Sequence, residues 1–167
     1  MERTIHCQKL GDADTDALWE LHTLYKSEIG ESAPGQEEKR RLADAIRQGD
    51  IQFYGAWDGD RLVGYAVEST VVGFGGPLSL IVGITPDGVV YNTSVLSHSE
   101  TPGLGAKCTE DEHFMTQFKG FDPSQKILTV KKDGGDVDAI TASTITSRAY
   151  SLAVKNAVDA FKTIKGE

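Results

Sequence analysis

The chain has 167 residues, a formal net charge of −8, 39% hydrophobic and 25% charged residues. This suits one domain with a real core. The acidic balance and the lack of Lys/Arg clusters exclude nucleic acid as a partner, because phosphate contacts need such clusters. A basic protein partner fits the same field. The two cysteines, Cys7 and Cys108, lie far apart with no ligand-spaced histidine, which excludes a zinc or iron–sulfur centre. They form one disulfide or stay as two buried free thiols.

In chain order, residues 4–7 predict a short strand. Capping residues over 12–16 precede a helix carrying Leu18, Leu21, Leu24 and Tyr25 on one face. Pro34-Gly35 breaks it, and residues 37–48 predict a second, highly charged helix with Leu42, Ala45 and Ile46 inward. Residues 51–57 and 61–67 flank Asp58-Gly59-Asp60, a hairpin signal. Gly73, Gly75 and Gly76 let the backbone lie close to a neighbour or a ligand, and a loop before a strand uses them equally well. Residues 78–84 and 89–96 flank Thr85-Pro86-Asp87-Gly88, a second hairpin, and 127–130 predict a further strand. Over 146–162, Ala149, Leu152, Ala153, Ala157, Val158 and Phe161 recur at helical spacing. The expected architecture is α+β, a mostly antiparallel sheet with N-terminal helices and a C-terminal amphipathic helix packed on it.

Just before that last helix stands Asp138-Ala139-Ile140-Thr141-Ala142-Ser143-Thr144-Ile145-Thr146-Ser147. Hydroxyl groups crowd a turn where free backbone N–H groups and the positive end of the helix dipole favour a phosphate without Lys or Arg. Ser143 or Thr144 serving only as a helix cap explains the same residues. Upstream, Glu100-Thr101-Pro102-Gly103-Leu104-Gly105 brings backbone N–H groups close to a flat ring or a phosphate, or forms a plain turn. A carboxylate at Glu100 suits an anionic ligand only if it turns away or accepts hydrogen bonds. His98 stands beside this loop and can donate a hydrogen bond, whereas His113 follows the acidic run 110–112 into solvent. No nucleophile–base pair is present, so no catalytic residue is assigned.

Asp138-x-x-Thr141-Ala142-Ser143-Thr144 resembles the flavinylation motif Asp-x-x-(Ser/Thr)-Gly-Ala-(Thr/Ser) of the FMN-binding domain shared by the G subunit of Rnf complexes and the C subunit of sodium-translocating NADH:quinone reductases. His98-Ser99-Glu100-Thr101-Pro102-Gly103-Leu104-Gly105 resembles the family's second segment, and the likeness runs over residues 50–167. It implies FMN joined by an ApbE-type flavin transferase through a phosphoester to Thr144. Thr141, Ser143 and Thr146 would contact phosphate or ribityl groups, with Glu100, Thr101, Leu104 and Gly105 lining the ring. Asp138 would be a recognition element for the transferase, or a cap. Where the family has Gly and Ala, this chain has Ala142 and Ser143, and a positive φ at the first position would favour glycine. The resemblance further implies an electron-transfer subunit rather than a stand-alone enzyme, partnered by other subunits of a membrane redox complex. The family domain is extracytoplasmic and follows a transmembrane helix. This sequence shows no run of about 20 apolar residues and no signal peptide, so the expectation is a soluble chain.

Residues 1–66, read as strand, helix, helix and hairpin, resemble instead the N-terminal half of GNAT-type acetyltransferases. That divides the chain into a segment 1–50 and an FMN-binding domain 51–167 forming one compact unit. A natural fusion, a replaced anchor and an engineered chimera all fit the changeover. It also raises an alternative function, acetyl-CoA-dependent N-acyl transfer, for which 100–105 is the sole pyrophosphate-loop candidate. The acidic Glu100 at its first position and Pro102 within it oppose that role. A scaffold without activity is the third reading.

Overall fold

The computed structural model describes residues 5–10, 40 and 51–165. Two tight turns organise its centre. Gly59, at φ +62°, turns β2 (Ile51–Asp58) into β3 (Arg61–Val72). Between β4 (Pro77–Ile84) and β5 (Val90–His98), Thr85 N–H donates to Val89 O and Gly88 N–H to Thr85 O, both at 2.9 Å, with Gly88 at φ +89°. With β1 (Ile5–Leu10), these strands form one antiparallel sheet in the order β1-β2-β3-β4-β5.

A short helix, α1 (Glu112–Thr116), and the long α2 (Thr144–Lys165) complete the α+β architecture, with single 3-10 turns at Gly105–Thr109 and Lys131–Asp133. α2 lies across β3 and β4. Alternation along β3 turns Tyr65, Val67 and Ser69 to the buried side, and β4 adds Leu78, Leu80, Val82 and Ile84. Opposite them α2 buries Ala149, Tyr150, Ala153, Val154, Ala157, Val158 and Phe161. The alanines bring the helix axis close to the sheet, and each large apolar side chain buried there contributes about 1.5–3 kcal/mol. Tyr150 packs against both Phe114 and Phe118, at centroid distances of 5.0 and 4.8 Å, and its hydroxyl meets Thr93 Oγ1 at 2.8 Å on β5.

The structure differs from the sequence reading in three places. α2 begins at Thr144, two residues before the apolar periodicity, because the hydroxyl-rich turn is itself helical. Leu152 is exposed, while Tyr150 and Val154 occupy the buried face. Residues 127–130 form no strand: Asp136 Oδ2 accepts from Ile127 N–H at 2.7 Å, Val137 N–H donates to Thr129 O and Lys131 N–H to Val137 O, so this backbone is satisfied within its own loop. Apart from Arg40, which is helical, the predicted N-terminal helices lie outside the described residues. Among the described residues, no helix is long and apolar enough to cross a membrane.

Candidate functional site

The turn into α2 is built by side chains bonding backbone. Ser147, fully buried, donates its hydroxyl to Ser143 O and accepts from Ile140 N–H, both at 2.9 Å, which staples the incoming chain to the first helical turn. Ser143 N–H donates to Ile140 O and Ser147 N–H to Ser143 O, each at 3.0 Å. Between them Ala142 stands at φ +62°, among the described residues the one non-glycine in the left-handed region. Ser143 is 7% exposed, and its buried hydroxyl has no hydrogen-bond partner among the described residues, so it does not cap the helix. Helix geometry leaves the N–H groups of Thr144, Ile145 and Thr146 without an intrahelical acceptor.

A second knot forms around Glu100, which is 6% exposed. Thr146 Oγ1 donates to Glu100 Oε2 at 2.6 Å, and Gly75 N–H donates to Oε1 at 3.3 Å. Glu100 N–H donates to His98 Nδ1 at 3.1 Å, so that nitrogen is the acceptor of the ring. Both carboxylate oxygens accept, which is the condition under which an acid is tolerated here. The loop that follows closes on one carbonyl: Leu104 and Ala106 N–H both donate to Thr101 O at 3.1 Å, with Gly103 at φ +74°.

These two knots wall a cavity of about 320 Å³ lined by Phe74, Thr101, Leu104, Gly105 and residues 142–146. Among the described residues, no charged side chain lines it. Phe74, Leu104 and Ile145 are large, exposed and apolar, and they suit a flat ring, while the start of α2 and the Ser143 hydroxyl supply donors. The Thr146 hydroxyl has its single proton committed to Glu100. Toward a ligand it is therefore an acceptor, suited to a hydroxyl or N–H group rather than a phosphate oxygen.

Of the residues expected at a site, Thr101, Leu104, Gly105, Ser143, Thr144 and Thr146 are thus brought together. Glu100 lies behind the wall, and Thr141 is exposed outside it. Phe74 and Ile145 are lining residues that sequence reasoning missed; an aromatic set between the glycines of Gly73-Phe74-Gly75-Gly76 is the signal that was available for the first. Asp138 is no helix cap. Its exposed carboxylate pairs with Lys131 Nζ at 2.9 Å, while the Gln117 side chain holds its backbone. His113 is exposed on α1. Cys108 is a buried free thiol, pushed up to about 11 first by burial and then by the negative charge of Glu100. Among the described residues, no cluster of His, Cys, Asp or Glu is placed to hold a metal ion.

Residues 73–159 match the FMN-binding domain family, and this span holds the whole lining of the cavity. The G subunit of the proton-translocating ferredoxin:NAD(+) oxidoreductase complex of Clostridium ljungdahlii is 41% identical over 121 residues, covering 71% of this chain and 64% of that protein. The G subunit of the ion-translocating oxidoreductase complex of Vibrio vulnificus is 35% identical over 156 residues, covering 90% of this chain and 67% of that one. An alignment of that extent runs into the first fifty residues, the part read as acetyltransferase-like. The crystal structure of NqrC from Shewanella oneidensis superposes with a TM-score of 0.56 at 26% identity, covering 70% of this chain and 59% of that chain. The chain spans about half to two thirds of the length of most of the curated relatives it matches. The loop 100–105, the pyrophosphate-loop candidate of the acyltransferase reading, falls inside the family match and folds around a buried carboxylate. On the match, the cavity and the fold together, this chain belongs to the FMN-binding domain family.

Proposed function

We propose that this chain carries FMN as a phosphoester on Thr144 and serves as an electron-transfer subunit of an ion-translocating oxidoreductase complex. One observation carries the reading: Thr144 opens α2 and lines the cavity beside Ser143, whose buried hydroxyl has no partner among the described residues. A buried hydroxyl left unpaired costs about 1–3 kcal/mol, and a phosphate oxygen at the helix start would satisfy it. The free N–H groups of Thr144, Ile145 and Thr146 would hold the other oxygens. Thr101 and the Thr146 acceptor suit the ribityl chain, and Phe74, Leu104, Ile145 and the bare backbone of Gly105 suit the ring. When bound, FMN supplies reversible uptake and release of electrons; the protein holds it, orients it and shields one face. The partners implied are an ApbE-type flavin transferase and the other subunits of the complex, with the domain on the outer side of the membrane. Exposed Asp138, beside the acceptor segment, is the recognition element for the transferase.

Ala142 already holds the left-handed conformation that glycine would take, so the acceptor turn is formed in this chain without glycine. Intact mass after co-expression with the transferase is the test. The expected result is a gain of one FMN less one water, lost in Thr144→Ala. Unchanged mass and no yellow colour overturn the covalent reading, and full labelling of Thr144→Ala overturns the site.

A further inference from the structure

Burying a carboxylate without a cation is strongly unfavourable. Glu100 is buried all the same, and among the described residues no Lys or Arg pairs with it. The fold makes room for it from two sides. A β-carbon at Gly73 would stand 2.0 Å from Glu100 Oε1, and one at Gly105 would stand 2.4 Å from Oε2 and 2.6 Å from Thr146 Oγ1. Glutamine has nearly the same shape and would still accept at one oxygen. What glutamate adds is charge. That charge sits directly behind Thr146, whose hydroxyl donates backwards to Glu100 while the residue lines the cavity on its other side.

We infer that Glu100 is a positioning residue for the flavin: it fixes the Thr146 hydroxyl as an acceptor toward the cofactor and places a buried negative charge one hydroxyl away, which makes the flavin harder to reduce. The inference rests on the FMN reading above. Each electron accepted from an external reductant, without a proton, adds one negative charge to the ring. In a site of low effective dielectric a fixed anion nearby opposes that addition and lowers the midpoint potential. The Thr146 hydrogen bond partly offsets the anion, so its loss strengthens the effect.

The test is a dithionite redox titration of the FMN-loaded chain, with loading established by intact mass for wild type, Glu100→Gln and Thr146→Val. Glu100→Gln is expected to shift the midpoint potential to more positive values, and Thr146→Val to more negative ones. A purely structural role would loosen both sites and move both variants the same way. Labelled Glu100→Gln with an unchanged or more negative potential overturns the inference alone, whereas a wild-type chain without FMN overturns both readings. Should Glu100→Gln fail to fold, Thr146→Val with an unchanged or raised potential overturns it.

Discussion

The Gln117 side chain grips the backbone of Asp138 from both sides: its Nε2 donates to Asp138 O at 3.0 Å, and its Oε1 accepts from Asp138 N–H at 2.8 Å. Gln117 sits next to buried Phe118, so the grip ties the segment leading into the cavity to the aromatic cluster under α2. Gln117→Ala releases both bonds and is expected to destabilise the fold by about 1–2 kcal/mol. Urea denaturation would show this, and an unchanged midpoint would make the grip incidental.

Ala142 at φ +62° holds a conformation that costs an L-residue about 1–2 kcal/mol and glycine little. Set against the extra freedom glycine has in the unfolded chain, Ala142→Gly is expected to stabilise by about 0.5–1 kcal/mol. Ala142→Val, branched at Cβ, is expected to lose more than about 1 kcal/mol. Equal stability of all three by denaturant titration would contradict the left-handed assignment.

Gly105 faces Glu100 and Thr146 with no space for a methyl group. Gly105→Ala has to push the carboxylate away from the hydroxyl, at a cost of about 1–3 kcal/mol. The expected outcome is a lower melting temperature together with a smaller fraction of chains carrying FMN by intact mass. Intact stability would mean that the loop yields more readily than its geometry implies.

Burial raises the Cys108 thiol from its ordinary value of 9.0 to about 11, and burial likewise raises the Tyr150 phenol. A raised folded value means that the neutral form is favoured in the folded state. The stabilisation is therefore complete below pH 9 and is lost as pH rises through the window from 9 to about 11. Denaturation curves across that window should show stability falling, with a shallower fall in Cys108→Ala. A thiol reagent at pH 8 should label Cys108 only after unfolding, and rapid labelling of the folded chain at Cys108, located by peptide mapping to tell it from Cys7, would refute its burial.

The two hairpins were legible because Asp-Gly and Pro-Asp-Gly turns punctuate apolar runs, and the last helix because its period is carried by alanines and one aromatic. The anchor turn was legible through its hydroxyls. Glu100 was legible as a member of the loop but its burial was not, because that burial depends on Gly73, Gly105 and Thr146, which converge only in space. Phe74 escaped for the opposite reason, since an isolated aromatic between glycines has no period to place it. Residues 127–130 mimic a strand because a short β-branched run cannot show that its hydrogen bonds are met by Asp136 and Val137 nearby.

The pairing of β1 with β2 from Ile5↔Asp58 to Leu10↔Phe53 has a practical consequence. β2 enters after residue 50, so a chain shortened to begin there would keep the entire cavity lining. It would also bare a length of unpaired sheet edge along IQFYGAWD, which holds three aromatic residues. Such an edge recruits other chains. In the whole chain β1 covers that edge, so the first strand serves the sheet rather than the cavity.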